Sequence, residues 1–292
     1  MCQPVTSHQT KATVLFNQQL TKTQFLLRLQ ASDGIKEAKP GHFIHLNCHP
    51  SLTLPRPFSI LDTDIKQGTL DVFYQVVGEG TQHMAGWQAG FETTMLSPIG
   101  CHFTKPDSDQ NALLIAGGIG YAPLDFFARE LKKQGVKTTL LLGIESDPPF
   151  ELTSSSTPLL SYDPIKNPLS ISRQEAMGIP SRLSSLEEKP GFYKGYVTQL
   201  AAKILQKMDT KECENTRLYV CGPTPMMKAA ALVASQFKIG GQVSLEEHMA
   251  CGFGGCAGCV APIRDADDSW NYRRVCTDGP VFDLNDVVWE KI

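Results

Sequence analysis

A change in hydrophobic pattern near residue 104 divides the chain into two kinds of sequence. Before it, short runs rich in β-branched and aromatic residues are separated by Gly, Pro or Asp at roughly the 8–12-residue spacing of small β-barrels. After it, continuous apolar runs alternate with stretches of helical spacing, as in a parallel α/β sheet. The 292 residues suffice for about two domains. We therefore expect a β domain followed by an α/β domain, joined through the polar stretch Thr104–Gln110.

The first region, residues 1–104, predicts an antiparallel β-barrel domain. A short helical turn is expected at Thr81–Trp87, where the strand pattern is interrupted. The candidate strands are KATVLF, TQFLLRLQ, HFIHLNC, FSILDT, TLDVFYQVV and TTMLSPIG.

The second region, residues 111–242, predicts a doubly wound parallel sheet that binds a nucleotide. Its apolar runs are continuous, as those of buried parallel strands are. The candidate strands are NALLIA, TTLLLGI, RLYVCG and QVSLEE, and the candidate helices are 122–133, 196–208 and TPMMKAAALVASQF. Within this region Ser146–Gly195 holds DPP, SSST and YDP, so we expect mostly loop with a little helix, lying over a ligand site.

The overall composition excludes several classes of protein. A net charge of −3 offers no basic surface for nucleic acid. No run approaches the ~20 apolar residues that span a bilayer. The first residues, MCQPVTSHQTK, lack the layout of a signal peptide. We expect a cytoplasmic protein, in which nine cysteines serve as thiols and metal ligands rather than as a disulfide framework.

Four cysteines in the last region, residues 243–292, carry the most specific chemical signal. They follow the spacing C-x4-C-x2-C, with a fourth cysteine 17 positions on, and are Cys251, Cys256, Cys259 and Cys276. Four thiolates at this kind of spacing hold a [2Fe–2S] cluster. Small residues between the first three let the backbone approach closely and direct N–H groups at sulfur. We expect a C-terminal cysteine-loop subdomain that carries single electrons and has no catalytic acid or base.

A tetrahedral zinc site is the alternative for the same cysteines. Zinc usually takes two C-x2-C knuckles, whereas this sequence has one, with an outlying cysteine on each side. The remaining cysteines have no such spacing, so we expect most of them to be ordinary, partly buried thiols. They are Cys2, Cys48, Cys101, Cys213 and Cys221.

A flavin site is suggested by two motifs in the barrel region. The sequence RPFS begins at Arg56, and the sequence Gly78-Glu79-Gly80-Thr81 follows the next β run. Glycines beside a Thr at the start of a short helix make a phosphate cradle from backbone N–H groups. Arg56 would then clamp a pyrophosphate with two hydrogen bonds. The alternative is that Arg56 is a solvated surface charge.

A dinucleotide site is suggested by two strand-to-helix junctions in the α/β region. AGGIGYAPL begins at Ala116, and CGPTPM begins at Cys221. Ligands of open α/β sheets bind at the carboxyl ends of the strands, so two such junctions on neighbouring strands would border one crevice. The glycines are too close together for the G-x-G-x-x-G fingerprint, and a tight βα turn without a ligand is the alternative.

Taken together, RPFS, the Gly-rich turn and Cys-Gly-Pro resemble the ferredoxin–NADP reductase superfamily from about Lys11 to Gln242. The cassette SLEEHMACGFGGCAGC with VCTDGPVF resembles the electron-transfer subunit of class 1B dihydroorotate dehydrogenase, in a nearly continuous match. Two features depart from the pattern. Phe58 stands where the superfamily often has Tyr, and Ser146–Gly195 looks long and irregular where the adenosine half of the cofactor should bind.

The resemblance implies FAD, one [2Fe–2S] cluster and NAD as cofactors. It also implies a separate FMN-containing dihydroorotate dehydrogenase catalytic subunit as partner, in a heterotetramer of two plus two, acting in pyrimidine biosynthesis. Electrons from dihydroorotate would pass through the cluster and FAD to NAD⁺. The implied cofactor contacts are Arg56, Pro57, Phe58, Ser59, Phe73, Tyr74, Gln75, Gly80 and Thr81 for FAD, Gly117, Gly118, Gly120, Cys221, Gly222 and Pro223 for NAD, and the four cysteines for iron.

Other functions stay open on the sequence. One is a related FAD and [2Fe–2S] reductase subunit of a ferredoxin:NAD(P) oxidoreductase or a sulfhydrogenase complex, and another is a zinc-stabilised binding protein without catalysis. The choice between NAD and NADP also stays open. The cysteine loop and the apolar tail, with Phe282, Val287 and Trp289, are the expected docking face for the electron donor. Packing of that tail on its own domain is the alternative.

Overall fold

The computed structural model describes residues 5–31, 33–107 and 109–292, so Cys2 lies outside the described residues. Two compact units emerge. The first consists of residues up to 103, 245–281 and 291–292, and the second consists of residues 104–244 and 282–290. The division of residues 1–104, 111–242 and 243–292 into three domains stays a prediction.

The first unit contains a closed six-stranded antiparallel barrel, in the order β1-β2-β5-β4-β3-β6. This confirms the predicted barrel, and each candidate strand has its counterpart. The strands are β1 (His8–Gln19), β2 (Gln24–Gln30), β3 (Phe43–Leu46), β4 (Arg56–Asp64), β5 (Thr69–Gln75) and β6 (Glu92–Ile99). Closure leaves no free edge, because β6 pairs with both β3 and β1.

Burial of apolar side chains explains why these runs form a barrel. Leu27 and Leu29 of β2 are buried with one residue between them, as the two-residue period of a strand requires. Leu70 and Val72 of β5 repeat the same spacing and are also buried. The predicted helical turn is helix α1 (Glu79–Ala85), which follows β5 and buries Met84.

The second unit contains a seven-stranded sheet in the order β12-β11-β8-β7-β13-β14-β17, and its pairs from β12 to β14 are parallel. This confirms the predicted parallel sheet. Its strands are β7 (Asn111–Gly117), β8 (Thr138–Gly143), β11 (Ser181–Ser185), β12 (Tyr193–Lys194), β13 (Thr216–Cys221), β14 (Gly241–Ser244) and β17 (Val281–Asp283). Its helices are α2 (Tyr121–Lys133), α3 (Ser172–Ala176), α4 (Val197–Leu205), α5 (Thr210–Glu214) and α6 (Thr224–Phe237).

The expectation of mostly loop with a little helix in Ser146–Gly195 is confirmed, since most of its residues lie outside helices and strands and α3 is its short helix, but the segment also contains strands that the sequence did not predict. This segment supplies β11 and β12 to the main sheet and forms a hairpin of β9 (Leu152–Ser154) and β10 (Leu169–Ile171). The sequence of β11 is SRLSS, and all five residues are buried. Some of its polar side chains find partners: the Ser170 and Ser181 hydroxyls lie 2.7 Å apart. A buried strand made of serines carries no hydrophobic pattern.

Two charged side chains hold this segment in place. The buried Arg182 donates from Nε to the Asp163 carboxylate at 2.6 Å and from Nη2 to the carbonyl oxygen of Thr157 at 3.1 Å. The Glu175 carboxylate accepts from the backbone N–H groups of Ser156 and Thr157 at 2.8 and 2.9 Å. Burial favours the protonated form of Glu175, but these hydrogen bonds and those from the Thr157 and Ser155 hydroxyls lower its pKa to about 2.

The C-terminal residues belong to both units. A hairpin of β15 (Val260–Arg264) and β16 (Trp270–Arg274) lies within the first unit. In the second unit the tail is buried at Phe282, Val287 and Trp289. The Trp289 indole N–H donates to the carbonyl oxygen of Leu284 at 3.2 Å. The tail therefore packs on its own unit, and the expectation that it forms a docking face is wrong. No helix among the described residues is long and apolar enough to cross a membrane.

We predict that the stability of the Glu175→Gln variant changes less with pH in the acid range than the stability of wild type does. A carboxylate with a lowered folded pKa stabilises the fold above its unfolded pKa, and this stabilisation is lost as pH falls from about 4.5 to about 2. The melting-temperature difference between wild type and variant should therefore be largest near pH 7 and shrink across that window. Thermal unfolding followed by circular dichroism measures it. Glu188→Gln, at an exposed glutamate, should show no such trend.

Candidate functional site

The four cysteines of the spacing motif come together at one loop of the first unit. Their thiols form two hydrogen-bonded pairs, Cys251 with Cys256 and Cys259 with Cys276. The pairs are close enough for charge on Cys251 to raise the pKa of Cys276. Cys256 is exposed, whereas Cys259 and Cys276 are buried. One edge of the cysteine group thus faces solvent and the other is enclosed by protein.

The two pairs lie in different electrostatic surroundings. Burial favours the neutral Cys251 thiol, but N–H groups of Phe253, Cys256 and Gly255 outweigh it and lower its pKa to about 7. Burial raises the pKa of Cys276 to about 12, and the N–H group of Gly254 opposes that change. The Cys276 thiol is therefore neutral unless a metal ion replaces its proton. Backbone donors to thiolate sulfur are the surroundings that a cluster requires.

The arrangement of the thiols suits a two-metal cluster. Two pairs of thiols match two metal atoms with two protein ligands each. A buried donor also lacks a partner beside the loop: within the part of the chain that the structure describes, Oγ1 of Thr277 makes no hydrogen bond. The residues present therefore fit a [2Fe–2S] cluster.

The cysteine loop is held on both flanks by residues that the sequence did not indicate. On one flank Arg274 donates from Nη1 to the carbonyl oxygen of Gly254 at 3.2 Å, and its ion pair with Asp278 orients it. On the other flank the ring of His45, from β3, lies against Gly252. Neither residue belongs to a recognisable motif, because each becomes relevant only where distant segments meet.

The flavin motif residues also meet in the first unit. Arg56, Pro57, Phe58 and Ser59 begin β4, the next strand ends in Phe73, Tyr74 and Gln75, and Gly80 and Thr81 lie in α1. The Phe58 and Tyr74 rings stack edge to face with centroids 6.0 Å apart. A methyl group at Gly80 would lie 3.3 Å from Cγ of Arg56, so α1 and β4 touch. The three segments thus border one place on the barrel.

Arg56 and Thr81 differ in what they offer a ligand. Nη1 of Arg56 donates to the carbonyl oxygen of Leu54 at 2.6 Å. A guanidinium has five N–H groups, so donors remain for an anion. The Thr81 hydroxyl donates to the carbonyl oxygen of Gly78 at 2.9 Å and accepts from the N–H of Val77 at 3.0 Å. Thr81 therefore shapes the turn before α1, and the turn's open side is at Gly78, where an added methyl group would meet nothing within 4 Å.

The two predicted nucleotide junctions lie side by side in the second unit. Strands β7 and β13 are neighbours, with Ala116 opposite Cys221. A methyl group at Gly120 would collide with the carbonyl oxygen of Cys221, so only glycine permits this approach. Gly117 and Gly118 precede it, and Gly222 and Pro223 follow Cys221 at the facing turn. The Cys221 side chain is buried, so this residue presents its backbone to the crevice.

The remaining cysteines are mostly the buried thiols that were expected. Cys48, Cys213 and Cys221 are free and buried, and burial raises the pKa of Cys48 to about 11. Cys101 differs, because its sulfur is in a disulfide bond. The sequence did not predict this disulfide, because no other cysteine lies close to Cys101 in the chain.

Two family models match this chain, one over the cysteine loop and one over the nucleotide junctions. Residues 246–288 match the family model of the iron–sulfur cluster binding domain of dihydroorotate dehydrogenase B. Residues 114–231 match the model of the oxidoreductase NAD-binding domain. The first range contains all four cysteines, and the second contains both glycine-bearing junctions.

Relatives match over nearly the whole chain. An electron transfer subunit of dihydroorotate dehydrogenase B (NAD(+)) from Fusobacterium nucleatum subsp. nucleatum is 32% identical over 284 residues, covering 94% of this chain and 96% of the relative. The chain belongs to this family. The subunit of the same description from Caldanaerobacter subterraneus subsp. tengcongensis is 29% identical over 279 residues, covering 96% and 98% of the two chains.

The fold is also that of solved flavin reductases. The structure of an NADH-dependent reduced ferredoxin-NADP oxidoreductase superposes with a TM-score of 0.76 at 23% identity, covering 96% of this chain and 90% of that chain. At this identity the likeness concerns the fold, a barrel joined in sequence to a nucleotide-binding sheet. Family membership rests on the dihydroorotate dehydrogenase B relatives.

We predict that Arg56→Gln lowers the affinity for FAD by about 10- to 100-fold, because a hydrogen bond to a charged group contributes roughly 1.5–3 kcal/mol. Titration of the deflavinated protein with FAD, followed by flavin fluorescence, measures the change. Lys11→Gln removes one charge from an exposed site of the same barrel and serves as the control. Equal FAD affinities in the two variants would contradict a pyrophosphate contact at Arg56.

We predict that Gly120→Ala destabilises the second unit by about 1–3 kcal/mol, the usual cost of forcing an extra carbon into a packed site. The methyl group would collide with the backbone of Cys221. At Gly135 an added methyl group meets nothing within 4 Å, although φ is +78°, so Gly135→Ala reports the cost of backbone strain alone. Urea unfolding of both variants measures the difference.

Proposed function

We propose that this chain is the electron-transfer subunit of an NAD-dependent dihydroorotate dehydrogenase. It carries electrons through a [2Fe–2S] cluster and FAD to NAD⁺. The donor is a separate catalytic subunit that contains FMN and oxidises dihydroorotate, and two copies of each chain form a cytoplasmic heterotetramer in pyrimidine biosynthesis. The observation that carries the proposal is the set of paired thiols within residues 246–288, in a chain related to such subunits over almost its full length.

Each part of the chain has a defined task in this proposal. Cys251, Cys256, Cys259 and Cys276 hold the iron, and backbone N–H groups of the loop stabilise their thiolates. Arg56 and the turn before α1 hold the FAD pyrophosphate, and Phe58 packs beside the ring system. Once bound, the cluster and the flavin supply the conversion between single-electron and hydride transfer.

The nucleotide junctions hold NAD in the second unit. The turn at Gly117, Gly118 and Gly120 lets the backbone approach the pyrophosphate, because side chains there would fill the space. The facing turn, Cys221-Gly222-Pro223, borders the nicotinamide half. No acid–base pair is required in this chain, since hydride transfer involves the cofactors themselves.

The cysteine loop is the docking face for the catalytic subunit. Its tip carries Phe253, which is 66% exposed, and the exposed Trp270 and Tyr272 lie on the hairpin β15–β16 of the same unit. Exposed aromatic residues are enriched in protein interfaces. Cys256 is exposed at the same loop, so a partner docked there approaches the ligand set directly.

We predict that Cys276→Ser abolishes the visible absorbance of the cluster and most of the bound iron, while FAD content is retained. A hydroxyl is a poor substitute for a thiolate ligand of iron. Iron analysis and the absorbance spectrum measure the outcome. Cys213→Ser changes a buried thiol of the second unit and should leave both unchanged. Normal iron content and electron transfer in Cys276→Ser would contradict the assignment.

We predict that Phe253→Ser weakens binding to the catalytic subunit by about 10-fold or more, since interface aromatics contribute most of the binding energy. Co-purification of tagged chain with the FMN subunit, followed by calorimetry, measures it, and the iron content of the variant should equal that of wild type. Leu232→Ser changes an exposed apolar residue of the second unit and should have no effect. Recovery of a hydrogenase subunit or another flavoprotein instead would favour a different reductase complex.

A further inference from the structure

We propose that His45 is a positioning residue that joins the cysteine loop to the strand carrying the flavin motif. This inference rests on the proposed function, because it concerns where the cluster ligands are held. His45 lies on β3, where its backbone is opposite Pro57 of β4. The same side chain reaches the loop that contains Cys251, so one residue touches both cofactor-binding segments of the first unit.

The His45 ring approaches the cysteine loop most closely at its Nδ1 atom. A methyl group at Gly252 would lie 2.5 Å from Nδ1 of His45 and 3.1 Å from its Cγ. Gly252 has φ = +74°, a conformation that glycine adopts without strain. The absence of a side chain therefore lets the backbone beside the first cluster ligand rest against the imidazole.

Carbonyl groups from both segments face the same ring. The backbone carbonyl groups of Cys251, Pro55 and Met249 lie around the buried ring of His45. Pro55 directly precedes Arg56 of the flavin motif, and Met249 and Cys251 belong to the cysteine loop. The imidazole thus lies between the two segments.

The burial of His45 shows that it is not a surface residue lying near the loop by chance. Its side chain is only 2% exposed. Within the part of the chain that the structure describes, its Nε2 has no hydrogen-bond partner. A buried, unpartnered ring nitrogen is costly, and in His45 it lies beside the loop that contains Cys251.

A second histidine of the same barrel provides a matched comparison. His42 is 1% exposed, and its Nε2 is also unpartnered among the described residues. His42 accepts at Nδ1 from the N–H of Lys39 at 3.1 Å and stacks edge to face on His102. Both histidines are buried in the barrel core, and His45 is the one that lies against Gly252 of the cysteine loop.

The test compares His45→Phe with His42→Phe in the full-length holoprotein. Phenylalanine keeps the ring volume and removes the ring nitrogens. We expect iron to leave His45→Phe about 10- to 100-fold faster in the presence of a ferrous chelator, the range seen when residues supporting metal ligands are changed. Amide hydrogen exchange should rise at residues 249–256, while FAD content and melting temperature match those of His42→Phe. His45→Asn, which retains a donor near Nδ1, should restore slow iron loss in part.

A double-mutant cycle tests the contact from the other side. In the wild-type background Gly252→Ala introduces both backbone strain and a collision with the ring, whereas in a His45→Ala background only the strain remains. The effect of Gly252→Ala on iron loss should therefore be at least several-fold smaller when His45 is absent. This comparison needs no assumption about how well phenylalanine fits the barrel.

The outcomes separate failure of this inference from failure of the proposed function. Equal iron loss and equal exchange in His45→Phe and His42→Phe, with an additive cycle, would overturn the role of His45 while leaving the cluster in place. A wild-type protein that cannot be reconstituted with a [2Fe–2S] cluster would overturn the proposed function. In that case, unchanged amide hydrogen exchange at residues 249–256 in His45→Phe would still show that His45 does not hold the loop.

Discussion

Close approach between the cysteine loop and the barrel is the constraint on which the ligand set depends. Three of the four cysteines lie in a segment with little regular structure between β14 and β15, and Cys276 follows β16, so helix or sheet hydrogen bonds do not hold this loop. It is held instead by contacts on two flanks, Gly252 against His45 and the Gly254 carbonyl against Arg274. These contacts leave backbone N–H groups facing sulfur. The positions of the thiolates therefore depend on how firmly the barrel holds the loop.

In the second unit, the candidate nucleotide site is formed by backbone contacts. Its two βα turns are pressed together because β7 and β13 are neighbours and Gly120 has no side chain. The polar segment around β11 adds two strands to this sheet, and Arg182 and Glu175 form hydrogen bonds with its loops. The long polar stretch is thereby part of the scaffold.

These arrangements suit a protein that carries electrons and leaves oxidation of the organic substrate to a partner. Among the described thiols with a shifted pKa, Cys251 and Cys276 belong to the proposed ligand set, whereas Cys48 and Cys213 are buried thiols elsewhere. Cys256 is exposed on the same loop as the exposed Phe253. The apolar tail, by contrast, is used internally, with Lys228 donating to the carbonyl oxygen of Trp289 at 2.9 Å.

The sequence by itself determined the parts with strong local patterns. Alternating and continuous apolar runs predicted the barrel and the parallel sheet, and cysteine spacing predicted the ligand set, because these signals lie within short stretches of chain. The serine-rich β11 was missed, since its burial depends on hydrogen bonds to β10 and not on hydrophobicity. Tertiary structure alone decided that the tail is buried and that His45 meets Gly252. The reason is physical: each of these depends on contacts between residues far apart in the chain, which no local pattern records.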